Sequence, residues 1–186
     1  MTETQKVWDT YEVAVPLNGV QATLDQSLLT LKGAKGEVSR VFKFPYVNLE
    51  LRDDNVVIVT KRFSQRQKKI MHTYRAHITN MIKGLNEGFT YTLKVVYAKF
   101  PMTVALKGNI FSVKNFLGEK VPRSVTIPQG VKVQIKGQDI TVDGIDKELC
   151  GQAAALIEQT TRISHLDRRV IQDGVFITEK PHKKYV

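Results

Sequence analysis

The chain has 186 residues, which suits one large domain or two small ones. Hydrophobic residues make up 42% of the sequence and charged residues 25%, so the chain can build a core and is not a disordered tail. Its formal net charge of +10 favours polyanionic partners, and nucleic acid becomes the leading partner class.

The composition argues against membrane-spanning and disulfide-stabilised proteins. The longest apolar runs, residues 56–59 and 153–157, are far shorter than the roughly 20 residues that cross a bilayer. The first residues carry neither a secretory nor an organellar targeting pattern. Because Cys150 is the single cysteine, neither an intrachain disulfide nor a cysteine-based metal site can form. We therefore expect a protein of the cytosol or the nucleus.

The first half of the chain is predicted to form strands followed by a helix. Alternating apolar residues between Gly, Pro and Asn predict strands at residues 11–15, 20–24, 28–32, 38–42, 47–51 and 56–60. Ser64 and Gln67 fit a capping box at the start of the helix, and Gly84 and Gly88 are stop signals. The apolar stripe of this helix consists of Ile70, Tyr74, Ile78 and Met81.

The second half repeats this order. Strands are predicted at residues 89–97, 103–106, 110–114, 124–127, 131–135 and 140–142. Asp146 can cap a second helix. The apolar stripe of this helix consists of Leu149, Ala153, Leu156, Ile157 and Thr160. Both helices have one apolar face, so each is expected to lie on a sheet.

Two segments of the chain resemble each other and indicate an internal duplication. Residues 16–33 and 128–144 align with matching Pro, Gly and alternating apolar positions, which predicts two copies of one β-hairpin. We therefore predict an α+β fold of two tandem similar domains, residues 1–88 and 89–186. Each is expected to be a mostly antiparallel sheet with one helix packed on it, and the second to end in a basic tail.

Searches for catalytic and cofactor chemistry find no convincing site in the sequence. Cys150 lies on the second helix away from any histidine in sequence and is interpreted as structural. His72 and His77 are five residues apart, which turns them to different helix faces. Asp53-Asp54 is typical of a hairpin turn. Gly33-Ala34-Lys35-Gly36 lacks the spacing of a P-loop and leads into a strand. We expect no enzyme activity, cofactor or metal.

Clustered cations are the strongest functional signal in the sequence. Five cations lie within residues 61–69 at the start of the first helix, where free backbone N–H groups and the helix dipole favour an anion. The alternative is a solvated helix face. The candidate RNA-binding residues are Lys35, Lys61, Arg62, Arg66, Lys68, Lys69, Lys114, Lys120, Arg162, Arg168, Arg169 and Lys180. Lys35 lies in a turn that either meets a phosphate or serves only as a turn, and Lys180 begins a tail expected to be flexible.

Five strings in the sequence resemble the universal large-subunit ribosomal protein six family, known as protein nine in eukaryotic ribosomes. They occur in family order and span about residues 11–180. The strings are Gly33-Ala34-Lys35-Gly36, Asn80-Met81-Ile82-Lys83-Gly84 with Gly88, Tyr97-Ala98-Lys99-Phe100-Pro101, Asn115-Phe116-Leu117-Gly118-Glu119-Lys120 and Asp173-Gly174-Val175-Phe176. The sequence departs from the family pattern at Ala34, Leu166 and Val170-Ile171, where the family has Pro, a cation and a basic-aromatic pair.

The resemblance implies a structural constituent of the large ribosomal subunit that contributes to translation. Its expected partners are large-subunit ribosomal RNA, near the factor-binding region and the sarcin-ricin loop, and neighbouring ribosomal proteins. No membrane or small-molecule substrate is implied. The expected location is the cytoplasmic ribosome, with a nucleolar stage of assembly. Two other classes stay open on charge alone, namely an RNA-processing enzyme and a protein that shapes double-stranded DNA.

Overall fold

A computed structural model describes residues 11–60, 64–164, 166–181 and 183–184, the last pair by backbone alone. The chain divides into two compact units, Met1–Glu87 and Gly88–Val186. Every strand pairing among the described residues is antiparallel, and each unit carries one α-helix packed on its strands. The predicted α+β class, with two tandem similar domains, is confirmed. Neither helix has the length and apolar composition that a bilayer crossing requires.

The first unit forms two three-stranded sheets and a helix. In chain order, its described elements are β1 (Tyr11–Pro16), β2 (Gln21–Asp25), β3 (Leu28–Gly33), β4 (Gly36–Val41), β5 (Val47–Arg52), β6 (Asn55–Thr60) and α1 (Gln65–Asn86). One sheet has the order β1-β6-β5 and the other is the meander β2-β3-β4. The central strand β6 is buried from Val56 to Thr60. Since successive strand residues point to opposite faces, both faces of this sheet are covered.

Helix α1 lies on the strands of its own unit and begins after Ser64, as predicted. Its buried face consists of Met71, Ile78, Met81, Ile82, Gly84 and Leu85. Ile70 and Tyr74 from the predicted stripe are half-buried at its margin. The capping box is not formed as predicted, because the Ser64 hydroxyl donates to the Gln67 side chain and makes no side-chain cap to the backbone. Gly84 is an interior helix residue, and only Gly88, with φ +81°, follows the helix end.

The second unit repeats this plan and extends it. In chain order, its elements are β7 (Phe89–Val96), β8 (Thr103–Lys107), β9 (Ile110–Lys114), a 3₁₀ turn (Phe116–Gly118), β10 (Arg123–Thr126), β11 (Val131–Lys136), β12 (Asp139–Gly144), α2 (Lys147–Thr160), β13 (Gly174–Lys180) and β14 (Lys183–Lys184). One sheet has the order β11-β12-β7-β13-β14 and the other is the meander β10-β9-β8. Their apolar faces share one core that includes Leu93, Phe111, Phe116, Ile140 and Ile157.

Helix α2 packs on β7, β12 and β13 through small side chains. Its buried residues are Cys150, Ala153, Ala154 and Ile157, while Leu149 and Leu156 of the predicted stripe are half-buried. Asp146 caps the helix as predicted, because its carboxylate accepts the Glu148 N–H at 2.8 Å. The small residues on the buried face let the helix axis approach the sheet closely.

The strand order corrects the predicted alignment of the repeat. The hairpin β2–β3 belongs to a meander, so its counterpart is β8–β9, whereas β11–β12 pairs with β7 and corresponds to β5–β6 beside β1. The duplication is real, but the pairing of residues 16–33 with 128–144 is wrong. Alternating valines bounded by Pro and Gly are common to all hairpins, and only the pairing partner distinguishes one hairpin from another.

The C-terminal segment contains the elements that the sequence analysis missed. All twelve predicted strands overlap an observed strand, but β13 was not predicted, although it pairs with the central strand β7. The tail from Lys180 was expected to be flexible, yet Lys183–Lys184 pairs with Glu179 and Lys180 as β14. Because the chain reverses after Lys180, backbone N–H and C=O groups of β14 pair with β13, whereas those of an isolated tail would pair with water. The rest of the predicted tail, including His182, lies outside the described residues.

Candidate nucleic-acid interface

The N-terminus of α1 presents three of the predicted cations to solvent. Arg66, Lys68 and Lys69 are exposed in its first turns, and no acidic residue lies in the first turn. Cations at this end of a helix oppose the macrodipole, so their clustering costs stability unless an anion is present. The Ser64 side chain leaves the first backbone N–H groups uncapped. Lys61 and Arg62, the other two cations of this cluster, lie outside the described residues.

Lys35 has a structural contact that the sequence did not reveal. Its ammonium donates to the backbone carbonyl of Glu87 just after α1, where the helix dipole is negative. The turn must approach the helix closely, because a Cβ added at Gly33 would lie 2.8 Å from the Leu85 Cβ. The turn therefore packs against the end of α1. Lys35 is also exposed and keeps further N–H donors, so its contact with RNA stays a prediction.

The loop that carries Lys114 and Lys120 is held by a buried aromatic anchor. Phe116 is 1% exposed and belongs to the core, whereas Lys114 and Lys120 on either side are exposed. The Asn115 side chain donates to the Pro101 carbonyl at 3.0 Å, and Asn115 itself has φ +60°. An anchored loop of this kind positions its two cations with little loss of conformational freedom on binding.

Arg123 braces this loop against the end of α2 and was not among the predicted site residues. Its guanidinium donates to both oxygens of Glu119, at 2.8 and 2.6 Å, and stacks 4.4 Å from the Phe116 ring centroid. It also donates to the carbonyls of Thr160 and Arg162 at 3.1 and 3.0 Å. This hydrogen bonding lowers the pKa of the Glu119 carboxyl. The spacing of Glu119 and Arg123 was a detectable signal, but the carbonyl contacts come from distant residues.

The segment after α2 carries the other predicted arginines. Arg162 and Arg168 are exposed and line a cleft that also contains Glu158, Asp173 and Phe176. Arg169 is paired with Asp167 at 3.0 Å and its side chain is 91% exposed. The pKa of the Asp167 carboxyl is lowered by hydrogen bonds from Arg169. Asp167 therefore partly neutralises the charge of these arginines.

Buried polar contacts fix the ends of this segment. The Thr161 hydroxyl accepts the Val175 N–H, and the Asp173 carboxylate accepts the Ala98 N–H, both at 2.9 Å. Between these anchors, Leu166 is 51% exposed and Val170 is 81% exposed. Leu166 and Val170, two of the apolar residues at which the sequence departs from the family pattern, therefore lie at the surface, whereas Ile171 is half-buried. Lys180 is exposed at the end of β13.

Cys150 has the surroundings of a packing residue. It is fully buried, and a Cβ added at Gly144 would lie 2.5 Å from its Sγ. Burial raises the pKa of its thiol to about 11, with Asp146 and Asp143 adding to the shift, so the reactive thiolate is disfavoured. Among the described residues, no three His, Cys, Asp or Glu side chains form a potential metal site.

Comparison with known proteins shows to which family the chain belongs. The family model described as Ribosomal protein L6 matches residues 16–88 and 100–174, one stretch for each repeat. The chain belongs to the ribosomal protein L6 family. As a member, it is a structural constituent of the ribosome and not an enzyme. This part of the function that the resemblance implied is confirmed.

Its relatives cover almost the full chain. The large ribosomal subunit protein uL6 of Methanosarcina mazei is 43% identical over 162 residues, which is 87% of this chain and 92% of the relative. The uL6 protein of Methanococcus vannielii is 40% identical over 172 residues, covering 92% and 94%. That of Methanobrevibacter smithii is 40% identical over 169 residues, covering 91% and 94%.

Proposed function

We propose that this ribosomal protein binds large-subunit ribosomal RNA near the factor-binding region and the sarcin-ricin loop. The observation that carries the proposal is the exposure of cations on firmly anchored supports in a member of the L6 family. Arg66, Lys68 and Lys69 lie on a helix end, and Lys114 and Lys120 flank a loop with a buried anchor. Contribution to translation follows from this place in the large subunit.

The proposed mechanism is electrostatic and shape-based. Lys and Arg side chains neutralise phosphates and release condensed counterions, which supplies most of the affinity. The antiparallel sheets hold these cations at fixed spacings, so that the protein matches folded RNA rather than a base sequence. The proposed RNA-contacting residues are Lys35, Lys61, Arg62, Arg66, Lys68, Lys69, Lys114, Lys120, Arg162, Arg168, Arg169 and Lys180.

Neighbouring large-subunit proteins are the second proposed partner class. Val121 is 77% exposed and Val170 is 81% exposed, both in the second unit. Surface valines of this kind are compatible with burial in an assembled particle, although isolated apolar residues are also common on free surfaces. The proposed location is the cytoplasmic ribosome, and a nucleolar stage of assembly stays a prediction.

Co-sedimentation through a high-salt cushion tests the proposal directly. The full chain is mixed with large subunits stripped of it, and with small subunits as the control. We expect salt-resistant retention on large subunits alone, because a shape-matched site loses less affinity to salt than nonspecific phosphate contact. Equal retention on both subunits, or on a DNA duplex of similar length, would refute a specific large-subunit site. Chemical probing of the bound RNA then identifies the protected helices.

A further inference from the structure

The first unit contains an aromatic cleft beside Arg66, one of the cations proposed to contact phosphates. It lies between the turn after β2 and the segment from β4 to β5, and has a volume of about 340 Å³. That volume falls within the roughly 300 to 1,000 Å³ of small-ligand sites. Lys43, Phe44, Gln26 and Asn48 are among the residues that line it. The cleft therefore combines a π-face, hydrogen-bonding groups and a cation.

The charge of the cleft and its rim suits a nucleotide. Lys43 is exposed, and the guanidinium carbon of Arg66 lies 5.3 Å from the Phe44 ring centroid. Glu50 also lines the cleft, and its carboxylate pairs with Arg52 at 2.6 Å. Arg52 also pairs with Glu12 at 3.0 Å, so it reduces the negative charge beside the cleft without cancelling it. With Arg66 beside the Phe44 ring and Lys43 in the lining, the cleft carries cations that attract the phosphates on either side of a stacked base.

The segment that carries Phe44 is anchored before any ligand arrives. Phe42 is 5% exposed and packs edge-to-face on Tyr74 of α1, with ring centroids 4.8 Å apart. The hydroxyl of buried Thr60 donates to the Tyr46 carbonyl at 2.8 Å. Tyr46 has φ +66°, a strained conformation for a bulky residue, and its side chain is exposed. Strain held in place by buried contacts is typical of binding segments.

We propose that this cleft receives one unpaired base of an RNA strand. Phe44 stacks on the base, and the amides of Gln26 and Asn48 hydrogen-bond its edge. Lys43 and Arg66 contact the flanking phosphates. Stacking on aromatic rings is how proteins recognise unpaired RNA bases, whereas phosphate contacts alone do not distinguish them from duplex. This inference rests on the proposed RNA-binding function and extends it to the chemistry of one nucleotide.

A fluorescent base tests the inference on the full chain. The probes are an oligoadenylate of about ten nucleotides with a central 2-aminopurine, and an RNA duplex of about 16 base pairs. The wild-type protein is expected to bind the single strand and quench 2-aminopurine as the base stacks. Phe44→Leu should abolish the quenching and weaken single-strand binding by roughly 5- to 150-fold, because it removes the π-face. Duplex binding should stay within about twofold.

Two further variants control for folding and for general aromatic contacts. Phe44→Tyr keeps the ring and should retain both quenching and affinity. Phe100→Leu removes an exposed ring of the second unit that lies 5.8 Å from the Lys99 ammonium, and it should leave single-strand binding within about twofold. Thermal unfolding of each variant establishes that it is folded.

The outcomes separate this inference from the proposed function. Wild-type-like quenching by Phe44→Leu would overturn the base cleft while leaving large-subunit binding intact. An equal loss of duplex and single-strand binding would also overturn it, since Phe44 would then act through the fold. If the wild-type chain bound neither RNA and did not co-sediment with large subunits, the proposed function itself would fail.

Discussion

In each unit, a strand glycine without a Cβ atom allows the helix to lie close to the sheet. Gly33 faces Leu85 of α1, and Gly144 faces Cys150 of α2, and at both positions a Cβ would overlap the helix side chain. The two glycines were aligned in the sequence, but they stand in strands that do not correspond, β3 and β12. Each glycine is required by the helix side chain that packs on it. No motif in the sequence distinguishes the two from the glycines of open turns.

Two alanine substitutions test this packing, one that adds a Cβ at Gly144 and one that removes the sulfur of Cys150. Gly144→Ala alone should lower the free energy of unfolding by about 1 to 3 kcal/mol, because the new Cβ overlaps the Cys150 Sγ. Cys150→Ala alone should cost about 1 kcal/mol through a small cavity and leave ribosome assembly intact. Combining them should cost less than the sum, which urea unfolding measures as a coupling energy. Strict additivity would show that the two side chains do not compete for space.

Titration of Cys150 should weaken the fold at high pH. The folded thiol has a pKa near 11, raised by burial from 9.0, so between these values the unfolded chain releases a proton that the folded chain keeps. The stability present below pH 9 is therefore lost progressively as pH rises toward 11. Cys150→Ala should remove this part of the decline, seen as a smaller difference in urea midpoint between about pH 8 and pH 10. An identical decline in both proteins would assign it to other groups.

Helix ends and loops carry the proposed RNA interface, and each is built differently. The α1 end presents cations against its own dipole, whereas the loop of Lys114 and Lys120 is braced by Arg123 and Glu119. The cation cluster was readable from local sequence. The brace was not, because Arg123 reaches carbonyls of Thr160 and Arg162 that lie 37 and 39 residues further along.

The cations of α1 should contribute to RNA binding through charge alone. Replacing Arg66, Lys68 and Lys69 by Ala should weaken binding to any RNA duplex. The slope of log affinity against log salt should flatten by roughly 0.7 to 0.9 for each phosphate that the variant no longer neutralises. Alanine at the exposed residues Lys107, Lys132 and Lys136 removes the same charge elsewhere and serves as the matched control. An unchanged slope in the α1 variant would return the cluster to the solvated-face alternative.

Arg123→Lys should loosen the loop while keeping the charge. Lysine cannot donate to both Glu119 oxygens and two carbonyls in one plane, so stability should fall by about 1 to 3 kcal/mol. Hydrogen exchange of loop amides near Lys120 should accelerate, and binding to large subunits should weaken with little change in salt slope. Arg169→Lys, at an exposed ion pair on one segment, is the matched control and should change stability by less than about 1 kcal/mol. Equal effects at both positions would contradict a bracing role.

At the scale of the whole molecule, the chain consists of two units with the same strand plan, the second extended by β13 and β14. Each helix contacts strands of its own unit. Burial of β6 in the first unit and of Leu93 and Ile140 in the second shows that both contain interior apolar residues. We propose that residues 1–88 and 89–186 are domains that can fold separately.

Separate expression of the two halves tests this proposal. Each half should give its own cooperative unfolding transition, because the cut near Gly88 divides no sheet among the described residues. Both have fewer than 100 residues, so each is expected to be only marginally stable. Failure of both halves to fold, with normal folding of the full chain, would mean that burial between them is essential.

Local patterns in the sequence determined element type, fold class and family. Period-2 alternation located twelve strands, Asp146 and Ser64 marked both helix starts, and the basic stretch at the start of α1 led to the prediction of an anionic partner. These features are set by neighbouring residues, whose spacing alone determines which side of an element is apolar. The duplicated plan was also foreseen, since both halves show strands followed by a one-sided helix.

Only the tertiary structure shows which strands pair and which cations contact other groups of the protein. Hairpins look alike in sequence, so the counterpart of β11–β12 became clear only from its pairing with β7. β13 was missed because its place beside β7 depends on a partner about 80 residues earlier in the chain. The local sequence left open whether the Lys35 turn meets a phosphate or is only a turn, and the contact of Lys35 with the Glu87 carbonyl became clear only from the packing of α1. In the sequence, Arg123 looks like an ordinary strand residue, and only the structure shows its contacts with distant carbonyls. Contacts between distant residues carry no local pattern, because they arise only when the elements pack together.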